Sequence, residues 1–180
     1  TLVNTGELSP YTYAYDEPPA GSFVLSLWTM ITGGVGAFGF SVNSGRVLML
    51  VLHLVTTAFL FGIARKTSKS DLAALVTALI FCFSPLVAGL QRRVLLDNIM
   101  LVWFLASLYL ILGENRTLGH YIASAVTFAL AVLTKGSVIG FLPVLVYIIL
   151  SRADKHHRRF AAWQWATVAG LLIFLYPLYA

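Results

Sequence analysis

Charge is what this sequence most lacks. Of its 180 residues only 11% are Asp, Glu, Lys or Arg, against 59% hydrophobic, and the mean hydropathy is +0.86. A soluble domain carries roughly 25% charged residues. A chain with less than half of that cannot cover its own surface in water, which disfavours a soluble enzyme, a disordered tail and a nucleic-acid-binding module. Cysteine is nearly absent as well. The single Cys82 lies in an apolar run, so no disulfide framework exists within the chain. No cluster of His, Cys and carboxylates has metal-ligand spacing, no nucleophile–base arrangement is legible, and no sequence signal calls for a metal or other cofactor. Repeats and low-complexity segments are missing too. The chain opens at Thr1, with neither a methionine nor a signal peptide, and is expected to belong to something longer.

Long apolar runs, by contrast, are plentiful. A bilayer core takes about 20 mostly apolar residues per helix. Residues 47–64, 72–90, 94–112 and 160–180 qualify or nearly do, and so does a 33-residue hairpin over 118–150. The hairpin breaks near Thr134-Lys135-Gly136, leaving two short spans of about 15 to 16 residues. The expected fold is therefore all-α and integral to a membrane, with about six transmembrane helices over 46–180.

Residues 1–45 differ. The first 17 are polar and aromatic, with Tyr11, Tyr13 and Tyr15 spaced two apart. Pro18-Pro19 then opens an apolar run, 20–32, that is too short to span; proline is tolerated in a first helical turn. The run reads as an interfacial helix in an outer-face loop, with Trp28 as its anchor.

The formal charge of +5 would point to nucleic acid in a polar chain. Here it divides by side. Eight of the twelve basic residues (Arg65, Lys66, Lys69, Arg116, Arg152, Lys155, Arg158, Arg159) fall in connections that share one side, which the positive-inside rule places in the cytoplasm. The opposite side holds Arg46, Arg92, Arg93 and Lys135 with four acids, Glu7, Asp16, Glu17 and Asp97. The surplus inside is a topology signal, and the balanced set outside has the make-up of a site.

Several motifs have plain readings. Gly34-Val35-Gly36-Ala37-Phe38-Gly39 has the spacing of a dinucleotide loop, but that motif needs a strand before it and a helix straight after. A membrane-surface loop is expected instead. Asn115-Arg116-Thr117 has the form of a glycosylation acceptor on the wrong side of the membrane. His53, beside Thr56 and Thr57, reads as a packed hydrogen-bonding residue, and His156-His157 as solvated loop.

The stretch from Gln91 to Asn98 says more. Arg93 and Asp97 are i,i+4 and can pair on one helical face, and a carboxylate near a helix N-terminus is favoured by the backbone dipole. That gives a self-paired helix end. Asp97, however, falls within the expected span, where ionisable side chains usually face a cavity and mark function. Lys135 either snorkels to headgroups or holds a lipid phosphate where two short helices leave a lateral opening. Asp16-Glu17 is either solvated loop or an acidic pair held by the prolines opposite Arg92, Arg93 and Lys135.

Three segments thus share one side in a fixed order: 15–21 with Pro18-Pro19-Ala20-Gly21, Arg92 to Asp97, and Thr134-Lys135-Gly136. Together they resemble the GT-C integral-membrane glycosyltransferases, in particular the dolichyl-phosphate-mannose protein mannosyltransferase superfamily with its bacterial aminoarabinose transferases. In that family an outer loop ends in an acid or histidine, Pro-Pro, a small or Leu residue and Gly. A later helix begins with Arg, a few apolar residues and Asp, and a Lys follows between its fifth and sixth helices. The resemblance covers nearly the whole chain; order and sidedness make the set more specific than any one motif.

The resemblance implies a multispan enzyme that moves a sugar from a polyprenyl-phosphate carrier to an acceptor at the outer face of a cell membrane. Its partners would be membrane lipids, the lipid-linked donor and the remaining parts of the same enzyme or a membrane complex, without nucleic acid. Arg92 and Lys135 are the cation candidates for the departing phosphate, and Arg93 adds a third positive charge. Asp97 is assigned to orienting the acceptor or the arginine, and Asp16 and Glu17 to binding acceptor or sugar. The family's principal catalytic acid lies upstream of the Pro-Pro motif, so the chain is expected to be an interior or split piece that is inactive alone. The competing class is a non-catalytic subunit in which the same fold serves as scaffold. A transporter ranks last, because its ionisable residues would cluster near the midplane rather than at the outer edge.

Overall fold

The computed structural model describes residues 18–113, 117–153 and 158–179, with side chains left out at 41 and 176–179. Within these residues the fold is all-helical, with no strand. Helix α1 is Ala20–Ile31, α2 Ser41–Ser68, α3 Asp71–Phe83, α4 Pro85–Gln91, α5 Leu96–Ile111 and α6 Leu118–Thr134. A 3-10 turn, Gly136–Phe141, leads into α7, Leu142–Arg152, and α8 is Arg158–Tyr179. Among the described residues one helix is by itself long and apolar enough to cross a membrane, Val42–Ser68.

The remaining apolar runs are shorter or bent. The expected span over 72–90 breaks at Ser84, where α3 and α4 meet at 63°. The cause is local: the ring of Pro85 forces Ser84 out of the helical region, to φ −66°, ψ 119°. The break expected in the 118–150 hairpin falls where the sequence puts it, with α6 ending at Thr134 and Lys135 extended (φ −154°, ψ 115°). The glycine-rich segment lacks the strand that a dinucleotide loop needs before it, although a helix does follow at Ser41. Helix α1 precedes it rather than a strand, and Gly33, Gly34 and Gly39 take the positive φ that makes the turn from α1 to α2.

Packing centres on α6, which lies between α5 and α8. Phe128, Ala125, Ala131, Leu145, Ile149 and Trp165 are buried together there. Small residues on α6 and α8 let the backbones approach, as helices in lipid require. One polar pin fastens the three helices. Ser107 and Ser124 hydroxyls lie 2.9 Å apart, and the indole of Trp165 donates to the Ser124 hydroxyl at 3.1 Å, all fully buried.

A second, smaller cluster joins α1, α2 and α5 around Leu48, Met49 and Ile99. Trp28 belongs to it. Its indole donates to the Ser44 carbonyl at 3.0 Å, so the half-buried ring docks α1 onto α2. His53 likewise packs, stacked on Phe81 with ring centres 5.2 Å apart, but its Nδ1 is buried without a hydrogen-bond partner.

Candidate functional site

The site forms where three chain segments meet at one end of the bundle. Helix α1 reaches it through Gly21. A Cβ built there would stand 2.6 Å from Leu96 Cδ2 and 3.0 Å from Thr134 Cγ2, so glycine leaves α1 in close contact with both. Leu96 directly precedes Asp97, and Thr134 directly precedes Lys135. The Pro-Pro-Ala-Gly segment is thereby seated against the starts of both charged positions. Helix α2 arrives beside them: a Cβ on Gly45 would meet Val94 Cγ2 at 2.8 Å.

Asp97 and Lys135, 38 residues apart, form an ion pair here. The Lys135 ammonium donates to both Asp97 carboxylate oxygens at 2.8 Å each. Asp97 sits in the first turn of α5, where the helix dipole favours its charge. Lys135 occupies the junction between α6 and the 3-10 turn, whose extended backbone projects it away from both helices. Their side chains are 47% and 32% exposed, so the pair is reached by solvent. An exposed pair of this kind adds little stability, typically about 0–1 kcal/mol. Its value is in placing a cation.

Asp97 stands in the first turn of its helix, which starts at Leu96, and one expectation changes. The i,i+4 pair with Arg93 does not form, since residues 92–95 are a turn between α4 and α5 and the spacing never becomes helical. Arg92 and Arg93 are on that turn, both exposed and without an ion pair to Asp97. Asp16 and Glu17 lie outside the described residues.

Asn98 is the residue that sequence reasoning missed. It is 4% exposed, and its side-chain amide donates to the Arg93 carbonyl at 3.1 Å and touches Met49 Sδ at 3.2 Å. The bond closes the Arg92–Leu95 turn from inside and fixes where both arginines leave the backbone. An asparagine next to an aspartate at the head of an apolar run was the available signal. Polar groups there need a partner, and the nearest open carbonyl is in the preceding turn. No group of three or more metal-ligating side chains is present among the described residues.

With the geometry in view, known proteins add context. Residues 16–179 match the family described as dolichyl-phosphate-mannose-protein mannosyltransferase. The chain is 29% identical over 168 residues to an undecaprenyl phosphate-alpha-4-amino-4-deoxy-L-arabinose arabinosyl transferase of Edwardsiella ictaluri (strain 93-146), covering 89% of this chain and 29% of that protein. It therefore spans less than a third of that relative's length. No solved structure matches.

Proposed function

The chain belongs to the dolichyl-phosphate-mannose-protein mannosyltransferase family, and from that premise we propose that it forms part of a membrane enzyme that transfers a sugar from a polyprenyl-phosphate carrier to an acceptor at the extracytoplasmic face. The observation that carries this reading is the Lys135–Asp97 pair, assembled by α5 and α6 beside the Gly21 contact and left half-open.

The chemistry follows from the groups. Transfer breaks the bond between the anomeric carbon and the carrier's phosphate oxygen, which leaves with the electron pair, and forms a bond to the acceptor. Charge grows on the departing phosphate, and preorganised cations lower the barrier most where charge develops. Lys135 supplies one such cation and Arg92 the second, with Arg93 next to it on the same turn. Both oxygens of Asp97 engage the ammonium, so Asp97 positions Lys135. The resemblance assigns the acceptor's proton to the family's principal acid, and Asp16 and Glu17 to acceptor or sugar.

The site end is taken as outer and the end carrying Arg65, Lys66, Arg152, Arg158 and Arg159 as cytoplasmic, by the positive-inside rule. About six crossings follow if the bent α3–α4 pair, the α7 unit and α8 each traverse the bilayer. At 1.5 Å per residue, the 16 residues of α5 reach about 24 Å. That is short of a core of about 30 Å and suits a locally thinned membrane around a lipid-carrier entrance. The scaffold alternative draws no support from the family match or the Edwardsiella protein.

The test is transfer by the intact protein, using a polyprenyl-phosphate sugar donor. Lys135→Gln and Arg92→Ala are expected to lower it by 100-fold or more, on the order of the loss seen for one charge-stabilising group. Wild-type transfer in both variants, folded and inserted normally, would remove the site from this face.

A further inference from the structure

The opposite end of the bundle carries a feature that transfer does not use. A cavity of about 690 Å³ opens between α2 and α5, walled by Val55, Ala58, Phe59, Gly62 and Tyr109, with Arg65 and Lys66 at its edge. A Cβ at Gly62 would stand 2.7 Å from the Tyr109 ring, so glycine lets that ring pack against α2 as one wall of the trough. Lys66 is held at the mouth in two ways. Its ammonium donates to the Tyr109 carbonyl at 2.9 Å and stands 3.2 Å above the centre of the Tyr109 ring. No carboxylate among the described residues pairs with it. Arg65 meets Asp71 through Nε at 2.6 Å, and its side chain is largely exposed.

We infer that this trough binds an anionic phospholipid of the leaflet opposite the Asp97–Lys135 site, with the phosphate on Lys66 and Arg65 and an acyl chain along Val55, Ala58 and Phe59. Apolar walls alone would suit a second helix equally well. The two cations decide between them. A covering helix would strip water from an ammonium that no carboxylate among the described residues pairs with, a costly burial. A phosphodiester brings its own negative charge to that point and leaves the headgroup in water. The location agrees: Arg65 and Lys66 are in the last turn of the one helix among the described residues that is by itself long and apolar enough to span, where a headgroup phosphate would stand. The inference rests on the membrane reading above and not on the catalytic one.

Native mass spectrometry of the intact protein, released from micelles doped with phosphatidylglycerol or with phosphatidylcholine of the same acyl chains, tests it. Phosphatidylglycerol is expected to stay bound preferentially. Arg65→Gln with Lys66→Gln should weaken its retention by about 25-fold, roughly fivefold per cation removed near an anionic headgroup. The conservative Arg65→Lys with Lys66→Arg should keep it, which separates lost charge from lost folding. Sugar transfer should be unchanged in both double variants. Equal retention of the two lipids, or undiminished phosphatidylglycerol in the glutamine variant, overturns the inference. Displacement by glycerophosphoglycerol alone also overturns it, because a bare anion site would need no trough.

Discussion

Gly21→Leu is the substitution whose effect the structure specifies most closely. Gly21 is buried on α1 with Leu96 Cδ2 and Thr134 Cγ2 within 2.6 and 3.0 Å of where a Cβ would stand. Carbon atoms rest about 3.5–4.0 Å apart, so even Gly21→Ala demands about an ångström from Leu96. The end of a leucine can swing. Thr134 is β-branched in a helix and stiff at χ1. Overpacking of this order costs about 1–3 kcal/mol, and alanine regains about 1 kcal/mol of helix propensity. Gly21→Ala should thus be nearly neutral in stability. Gly21→Leu has three more carbons to place between two helices and little extra propensity to offset them, so a loss of about 3 kcal/mol is expected. The functional cost should be larger than the thermal one. Leu96 and Thr134 adjoin the paired residues, and a misplacement of about 1 Å can cost on the order of 100-fold in rate. Thermal unfolding of the intact protein in lipid nanodiscs, together with transfer from a polyprenyl-phosphate sugar, measures both. A Gly21→Leu protein that unfolds and transfers like wild type would refute the close seating of α1 and the reasoning built on it.

Asp97→Asn should leave stability within about 1 kcal/mol, since the ion pair is half-exposed, while donor transfer falls steeply; equal losses in melting and transfer would mean a structural pair instead. Asn98→Ala removes the donor to the Arg93 carbonyl and should destabilise by about 1–3 kcal/mol, with a raised KM for donor as the Arg92–Leu95 turn loosens; an unchanged KM would show that the turn holds itself. Ser124→Ala strips partners from Ser107 and the Trp165 indole and should lower stability by about 1–3 kcal/mol without affecting donor KM, as read by denaturation and initial rates.

Several parts of this architecture are legible along the chain because their causes are local. The break at Thr134-Lys135-Gly136 shows as an interruption of an apolar run, and α6 indeed stops at Thr134. The Ser84–Pro85 bend had an equally local cause, a proline within an apolar stretch, but hydropathy averaged across it. The docking of Trp28 was not legible for a different reason. An indole beside lipid and an indole donating to the Ser44 carbonyl look alike in sequence, since both satisfy one N–H at the end of an apolar ring. The Arg93–Asp97 spacing was read as helical, and the turn at 92–95 made it irrelevant.

By itself the sequence determined the all-helical class, the family, the spacing of charges along the chain and the small set of polar residues from which a site can be built. These depend on composition, on runs of apolar residues and on motif order, all of which are properties of the chain read in one dimension. Only the tertiary structure decided that Asp97 belongs to Lys135 rather than to Arg93, that Asn98 closes the arginine turn, and that Gly21 is the hinge of contact among three segments. An ion pair 38 residues apart in sequence has no local signature. It exists because α5 begins where α6 ends, and the packing of small residues between helices brings those two ends together.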